Sequence, residues 1–360
     1  MALVALTAGL AAGCGGDDEA SPAPAEPAPA APAEPAAPAE PAPAESTAGG
    51  SLTIYSGREE EIVEPLIEQF EEATGIDAEV RYGDSAELAA TIAEEGGSSP
   101  ADVFFAQDAG SLGAVAGEGL LAVLPQSTLD RVDARFRDPD GRWVGTSGRV
   151  RVVAYNTDEV AEADLPDSIF DLTDPTWKGK VGIAPTNASF QGFVTALRLS
   201  AGEDQARDWL EGLKANEPRT YEGNGAIMEA LATGEIALGL VNHYYLFLLK
   251  DEQPDAPVAN HYLGGGDPGA LVNAAGVGIV TSGPHGAEAQ AFVDYLLSDE
   301  GQQFYAAGAE EAEYPLVAGV AAREGLPALD SLQGPEISLG ALGAELQATL
   351  QLLAELGFTS

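Results

Sequence analysis

The chain has 360 residues, of which 45% are hydrophobic, enough for two medium-sized units with buried cores. Its 58 acidic and 16 basic residues give a formal net charge of −42 at pH 7. A surface this negative repels nucleic acid and anionic lipid, which excludes DNA or RNA as a partner. The single cysteine, Cys14, excludes an intrachain disulfide.

The first residues form a short apolar run of small side chains that ends at Gly13-Cys14. This start resembles the end of a bacterial lipoprotein signal peptide, so we expect a signal peptide at 1–13 and lipid on Cys14. No basic residue precedes the run, which indicates a true translation start upstream of Met1. Residues 14–50 are rich in Pro, Ala and Glu and predict an extended tether of roughly 110 Å, at about 3.1 Å per residue. We therefore expect an extracytoplasmic body anchored to the cell membrane.

The body alternates strands and helices. The first predicted elements are strands at 52–55, 76–82 and 102–106 and helices starting near 59, 85 and 109. The acidic run that begins at Glu59 suits the positive end of a helix dipole, and Gly75 ends that helix. Such alternation predicts a parallel sheet with both faces covered. Ligands bind beyond the carboxyl ends of its strands, where Glu59 and Gln107 lie.

A long strand pattern at 148–156 leads into a second alternating unit. This unit has predicted strands at 181–184 and 236–241 and predicted helices at 189–200, 203–215 and 226–233. The chain then returns as strands between 258 and 280, a helix at 286–307 and a final helix from about 334. Two α/β units joined by two extended crossings predict a two-lobed clamp.

Two consecutive tyrosines, Tyr244 and Tyr245, follow the strand at 236–241. At the first turn of a helix, neighbouring side chains point only about 100° apart, so two phenol oxygens can converge on one point. One interpretation is that both rings simply pack, one in the core and one at the rim. The other is a pair of phenolate metal ligands. Ionising a phenol at pH 7 costs roughly 4 kcal/mol, which a hard, highly charged cation such as Fe(III) can offset.

Several segments together resemble the ferric-ion-binding proteins of bacterial ABC importers, across residues 51–360. These segments are LTIYSGREE (52–60), SPADVFFAQDAGSLG (99–113), SGRVRVVAYN (147–156), DPTWKGKVGIAPT (174–186), NHYYLF (242–247), DPGALVNAAGVGIV (267–280), FVDYLLSDEGQQF (292–304) and AEYPL (312–316). The resemblance implies an α/β fold of the bilobal, type II periplasmic-binding-protein-like kind. Lobe 1 is then expected at 51–152 and 270–322, and lobe 2 at 153–269 and 323–360.

The same resemblance implies a function. The lobes are expected to close on Fe(III) together with carbonate or another synergistic anion, and to deliver the ion to an ABC importer permease and its ATPase. We expect a monomer with no nucleic-acid partner. Tyr244 and Tyr245 match the tyrosine pair of the family, and Glu59 stands where many members have a histidine ligand. Arg58 matches an arginine that holds carbonate in part of the family, since a planar guanidinium suits a bidentate anion.

Other positions of the resemblance depart from the family pattern and leave the coordination shell open. Gln107 stands where one branch has a glutamate ligand, Phe190 where another has a third tyrosine, and Glu60 where some members have a further tyrosine. Weaker candidates, expected to bind the anion, orient the tyrosines or lower their pKa, are Asn187, Ser189, Asn224, Asn242 and Arg149. Glu59 can instead be a surface acid at a helix start, and Arg58 a surface arginine paired with neighbouring glutamates.

Catalytic motifs are missing from the sequence. It contains no G-x-S-x-G elbow, no P-loop and no G-x-G-x-x-G that opens a helix, and its three histidines lack metal-ligand spacing. We therefore expect a binding protein rather than an enzyme. One alternative is the same fold binding a small anion, such as a phosphonate, through Arg58, Asn187 and Asn224. A secreted metal-dependent hydrolase and a purely structural lipoprotein are further alternatives.

Overall fold

The computed structural model describes residues 49–308 and 312–359, so the predicted signal peptide, Cys14 and nearly all of the tether lie outside the described residues. The strands are β1 Ser51–Ser56, β2 Asp77–Tyr82, β3 Val103–Ala106, β4 Val144–Asn156, β5 Val181–Ile183, β6 Arg219–Thr220, β7 Leu238–Asn242, β8 Val258–His261, β9 Val272–Ile279 and β10 Tyr314–Pro315. The helices are α1 Glu60–Thr74, α2 Ser85–Glu95, α3 Ala109–Gly117, α4 Gln126–Leu129, α5 Ala188–Ala201, α6 Glu203–Ala215, α7 Asn224–Ala232, α8 Tyr245–Glu252, α9 Gly286–Leu296, α10 Asp299–Gln303 and α11 Ala341–Glu355.

The strands form one continuous sheet in the order β2-β1-β3-β9-β4-β7-β5-β6, with β8 and β10 also paired to β4. On one side β1 pairs in parallel with β2 and β3, and on the other β5 pairs in parallel with β6 and β7. These two parallel regions define a first and a second lobe, each with helices on its sheet. The bilobal α/β fold predicted from the sequence is confirmed.

Strand β4 carries the chain from the first lobe to the second. Its first half, up to Val150, pairs with β9, while its second half, from Arg151, pairs with β7. Strand β9 returns the chain to the first lobe, since its first residue, Val272, pairs with Val150 of β4 and its last, Ile279, pairs with Val103 of β3. Because β4 continues through both lobes, side chains near its midpoint lie between them.

Each lobe has its own apolar cluster of aromatic side chains. In the first lobe, Phe292 meets Phe70 edge-on at 5.0 Å between ring centroids and Phe105 at 6.1 Å. In the second lobe, Phe193 meets Trp209 edge-on at 5.5 Å. Edge-to-face pairs of this kind stabilise a core beyond the area they bury.

Two predicted helices have different bounds in the structure. The helix expected at 286–307 is divided into α9, α10 and a π-helical turn at Phe304–Gly308. The division falls at Ser298, whose hydroxyl accepts a hydrogen bond from the Gly301 amide and so begins a new helix. The last helix begins at Ala341 rather than near 334. Throughout 49–308 and 312–359, no helix combines the length and apolar character needed to cross a membrane.

Candidate functional site

A cavity of about 990 Å³ lies at the carboxyl ends of the parallel strands and is lined from both lobes. It contains every site residue predicted from the sequence within the described part of the chain: Arg58, Glu59, Gln107, Arg149, Asn187, Ser189, Asn224, Asn242, Tyr244 and Tyr245. Sites at strand ends are expected for open α/β sheets, because the loops there are free to present polar side chains. The structure thus brings the predicted residues to one cavity.

The tyrosine pair lies where β7 ends and α8 begins. Tyr244 already has helical backbone angles, φ −69° and ψ −22°, and precedes the first residue of α8, Tyr245. The two rings stack with centroids 4.6 Å apart and planes 26° apart. Tyr244 is 5% exposed and Tyr245 is half-buried. The two phenol groups are therefore side by side on one wall of the cavity.

His243, directly before the pair, points away from the cavity into the crossing region. Its Nδ1 accepts a hydrogen bond from the Val150 amide at 3.1 Å, and its Nε2 donates to the Ala312 carbonyl at 2.8 Å. Burial lowers the pKa of His243 to about 4, so the ring is neutral at pH 7. With both nitrogens used by the backbone, His243 fixes the start of the tyrosine turn and has no nitrogen left for a metal.

Arg151 is a buried cation beside the tyrosines that sequence reasoning missed. Its guanidinium donates to the Leu240 carbonyl at 2.7 Å and to the Ser189 hydroxyl at 3.0 Å. No carboxylate in the described residues forms an ion pair with it. Burial lowers the pKa of Arg151 to about 9, an effect opposed by Tyr244 and Tyr245 when they are ionised. A buried guanidinium with no ion-pair partner among the described residues leaves positive charge at this wall of the cavity.

Three polar side chains predicted as weaker candidates join the same network. Asn187 caps α5, with its side-chain oxygen accepting from the Ser189 amide at 3.0 Å. Asn224 donates to Asn187 and to the Ser189 hydroxyl, both at 3.3 Å, and accepts from Arg151 at 3.4 Å. Asn242 is buried on the strand next to Arg151. Asn187, Ser189 and Asn224 are hydrogen-bonded to one another, and together with Asn242 they form a polar wall of the second lobe behind the tyrosine pair.

Arg58 is buried rather than exposed, and its main partner is a residue that the sequence did not indicate. Both terminal nitrogens of Arg58 donate to the two carboxylate oxygens of Glu313 at 3.1 Å. A nitrogen of Arg149 lies 3.8 Å from the same carboxylate, and Arg149 also donates to the Gln107 carbonyl. Burial alone would raise the pKa of Glu313, but the two guanidiniums hold it below its usual range.

The first lobe presents exposed carboxylates, among them Glu59, and a phenol to the cavity. Glu59 occupies the N-cap position of α1 without a side-chain capping bond, which leaves its carboxylate free to face the cavity. Tyr82 ends β2 and lines the same wall. Burial, together with Glu60 and Glu64, raises the pKa of Tyr82 to about 12. Phe190 stands where one branch of the resembled family has a third tyrosine. Its ring is fully buried under the Arg151 guanidinium, with 5.9 Å between the ring centroid and the guanidinium carbon.

Sequence signals existed for two of the missed residues. Arg149 and Arg151 are two residues apart on a predicted strand and therefore point to the same face of the sheet. The pattern that makes Arg149 a candidate site residue thus indicates Arg151 as well. Tyr82 is the last residue of a predicted strand, and Gln107 directly follows the last residue of another, so both stand at the strand ends where ligands are expected. Glu313 carried no signal, because its partner Arg58 is 255 positions away along the chain.

The fold and the cavity define a two-lobed α/β solute-binding protein. Its residues 98–331 match the family described as bacterial extracellular solute-binding protein, and the chain belongs to that family. The Fe(3+)-binding periplasmic protein of Serratia marcescens is 32% identical, over 87% of this chain and 92% of its own length. The major ferric iron-binding protein of Neisseria meningitidis serogroup B is 34% identical, over 87% of this chain and 95% of its own length.

Solved structures give the same result. Iron-bound HitA of Pseudomonas aeruginosa is 38% identical with a TM-score of 0.77, covering 86% of this chain and 99% of its own. The Trichodesmium protein in complex with iron and citrate is 31% identical with a TM-score of 0.77, covering 86% of this chain and 100% of its own. The expectation of a solute-binding protein of the periplasmic type is therefore confirmed, and its family and these relatives are named as binding proteins.

Proposed function

We propose that the protein captures Fe(III) in the cavity between its lobes and delivers it to an ABC importer permease with its ATPase. The observation that carries this proposal is the stacked Tyr244–Tyr245 pair beside the buried Arg151 guanidinium. Relatives that are named for binding ferric ion, at 32–34% identity over most of the chain, support the same cargo.

Tyr244 and Tyr245 act as phenolate ligands in this proposal. Ionising a phenol at pH 7 costs roughly 4 kcal/mol without a compensating charge, since phenols in water have a pKa near 10. A trivalent hard cation in front of the rings and Arg151 behind them both reduce this cost, because each favours the ionised form. Glu59 adds a carboxylate oxygen from the first lobe, a ligand type that also suits a hard ion.

The second component is a synergistic anion. Arg58 is its proposed anchor from the first lobe and shares its guanidinium between the anion and Glu313. The polar wall of Asn187, Ser189, Asn224 and Asn242 offers hydrogen-bond donors from the second lobe. Arg149, which donates to the Gln107 carbonyl, adds positive charge beside Arg58. Ligands that come from both lobes meet only when the lobes close, so binding favours the closed arrangement.

The test uses the purified protein and ferric citrate, with and without bicarbonate. Phenolate-to-iron charge transfer should give a visible absorption band with bound iron, which Tyr244→Phe/Tyr245→Phe loses. Tyr221→Phe, a tyrosine outside the residues that line the cavity, is the matched control and keeps the band. A colourless wild-type protein under saturating ferric citrate, or a double variant as coloured as the control, refutes the proposal.

We also propose that the body is a monomer held at the outer face of the cell membrane by lipid on Cys14, after removal of residues 1–13. Cys14 lies outside the described residues, so this step rests on the sequence alone. Cys14→Ala should shift the protein from the membrane fraction to the soluble fraction in a bacterial host, while Ser21→Ala should not. Equal membrane association of both variants contradicts the anchor.

A small oxyanion, such as a phosphonate, is a second candidate cargo. The observation that favours it is the polar wall, since Arg151, Ser189 and Asn224 form a donor-rich group without a described carboxylate. Titration calorimetry distinguishes the two candidates. Heat on adding a phosphonate, with none on adding ferric citrate, selects the oxyanion, and the reverse pattern selects Fe(III).

A further inference from the structure

Helix α11 spans the two lobes along one side of the cavity. Its first half packs on α3 of the first lobe, and its second half packs on α5 of the second lobe. Leu342 belongs to the apolar cluster that includes the first-lobe strands, whereas Leu352 and Leu353 belong to the cluster around α5 and α6. Leu342 and Leu346 also line the cavity. Any change in the angle between the lobes must therefore change a contact of α11.

The contact between α11 and α3 is made by glycine backbones. A Cβ atom on Gly113 of α3 would lie 2.2 Å from the Gly340 carbonyl oxygen. A Cβ atom on Gly343 of α11 would lie 2.1 Å from the Gly110 carbonyl oxygen. None of these four glycines has a positive φ. Glycine inside a helix is less favourable than alanine, so the close approach is the feature that requires these residues.

The contact between α11 and α5 is different, because it is built from hydrogen bonds. The Thr195 and Thr349 hydroxyls lie 2.8 Å apart. Arg198 of α5 donates to the Thr349 hydroxyl and to the Glu345 carbonyl, both at 2.8 Å. By contrast, no hydrogen bond among the described residues joins α11 to α3. Separating α11 from α5 would leave buried polar groups unpaired, whereas separating it from α3 would lose apolar packing but no hydrogen bond found among the described residues.

We propose that α11 moves with the second lobe, and that its glycine contact with α3 forms when the cavity closes on its ligand. The four glycines, Gly110, Gly113, Gly340 and Gly343, then set how closely the lobes approach. A single methyl group added to either helix at this contact holds the two lobes apart, and it weakens ligand binding without touching a proposed iron ligand. This inference rests on the proposed function only in taking Fe(III) as the ligand used for the test.

The test compares Gly113→Ala and Gly343→Ala with Gly117→Ala. Gly117 is the matched control, since it lies in the same helix as Gly113 and a Cβ atom there meets nothing within 4 Å. In competition with citrate, each contact variant should bind iron at least about tenfold more weakly than the control, equivalent to about 1.4 kcal/mol. Iron-free, all three should melt within about 3 °C of one another, because the contact is absent from the open form.

The iron-free melting curves decide the inference even if the wild-type protein binds no iron. A contact that is permanent lowers the melting temperature of Gly113→Ala and Gly343→Ala by more than about 3 °C relative to Gly117→Ala, with and without ligand, and overturns the inference. Equal iron affinity of the three variants also overturns it. A wild-type protein that stays colourless refutes Fe(III) as the cargo instead, which separates the two failures.

Discussion

Replacing Glu313 by glutamine leaves two buried guanidiniums, Arg58 and Arg149, with a neutral partner. The Arg58 and Glu313 side chains are each 1% exposed, so water does not compensate for the lost charge. The change also affects the candidate site. Arg58 immediately precedes the proposed ligand Glu59 in the chain, and Glu313 immediately precedes strand β10. We expect Glu313→Gln to lower the free energy of unfolding of the iron-free protein.

The size of the effect follows from the distances. Coulomb's law with an effective dielectric constant of about 20 gives roughly 5 kcal/mol for the Arg58–Glu313 pair at 3.1 Å. The Arg149–Glu313 pair at 3.8 Å contributes somewhat less. Repulsion between the arginines and the loss of hydration offset part of this attraction. Removing one partner of a buried pair typically costs about 3–5 kcal/mol, and we expect a loss in this range.

Urea unfolding at pH 7 measures this loss, and Glu217→Gln is the control. Glu217 pairs with Lys178 at 2.9 Å, with side chains 70% and 53% exposed, so its replacement should cost less than about 1 kcal/mol. The pKa of Glu313 is lowered in the folded protein, so its stabilising contribution is present above the unfolded pKa and is lost as the pH falls through the folded pKa. The difference between wild type and Glu313→Gln should therefore hold from pH 7 to about pH 5 and shrink below about pH 4. A loss at pH 7 no larger than that of Glu217→Gln refutes the reasoning.

Three further predictions concern the ligand and the core. Arg151→Met should weaken iron binding by about 10- to 150-fold in a citrate competition assay, because a charge-assisted interaction is worth about 1.5–3 kcal/mol, while Arg151→Lys should retain more of the affinity. Removing iron with excess chelator should bleach the visible band and lower the melting temperature together, since a ligand stabilises the folded state that binds it; unchanged melting contradicts this linkage. Phe193→Ala should destabilise the protein by about 3–5 kcal/mol in urea unfolding, because the ring is buried against Trp209, and a loss below about 1 kcal/mol contradicts that packing.

Local patterns in the sequence determined the architecture and much of the site. Alternating strands and helices predicted parallel sheets, because a parallel pair needs a crossover connection. The carboxyl ends of those strands then predicted where Glu59 and Gln107 lie. The adjacent positions of Tyr244 and Tyr245 predicted a shared wall, since neighbours at a helix start point in similar directions.

The partners of the charged side chains were decided only by the tertiary structure. The sequence identified Arg58 but not its partner Glu313, because this contact joins segments 255 positions apart along the chain. The strand pattern places Arg151 on the same face as Arg149, but its hydrogen bond to the Leu240 carbonyl depends on the pairing of distant strands. The start of α11, predicted near 334, lies at Ala341, and its position across both lobes was not predicted, since helical periodicity does not specify which two surfaces a helix will contact. Periodicity reports the conformation of a segment, whereas burial, ion pairing and closeness of approach depend on which distant segments pack against it.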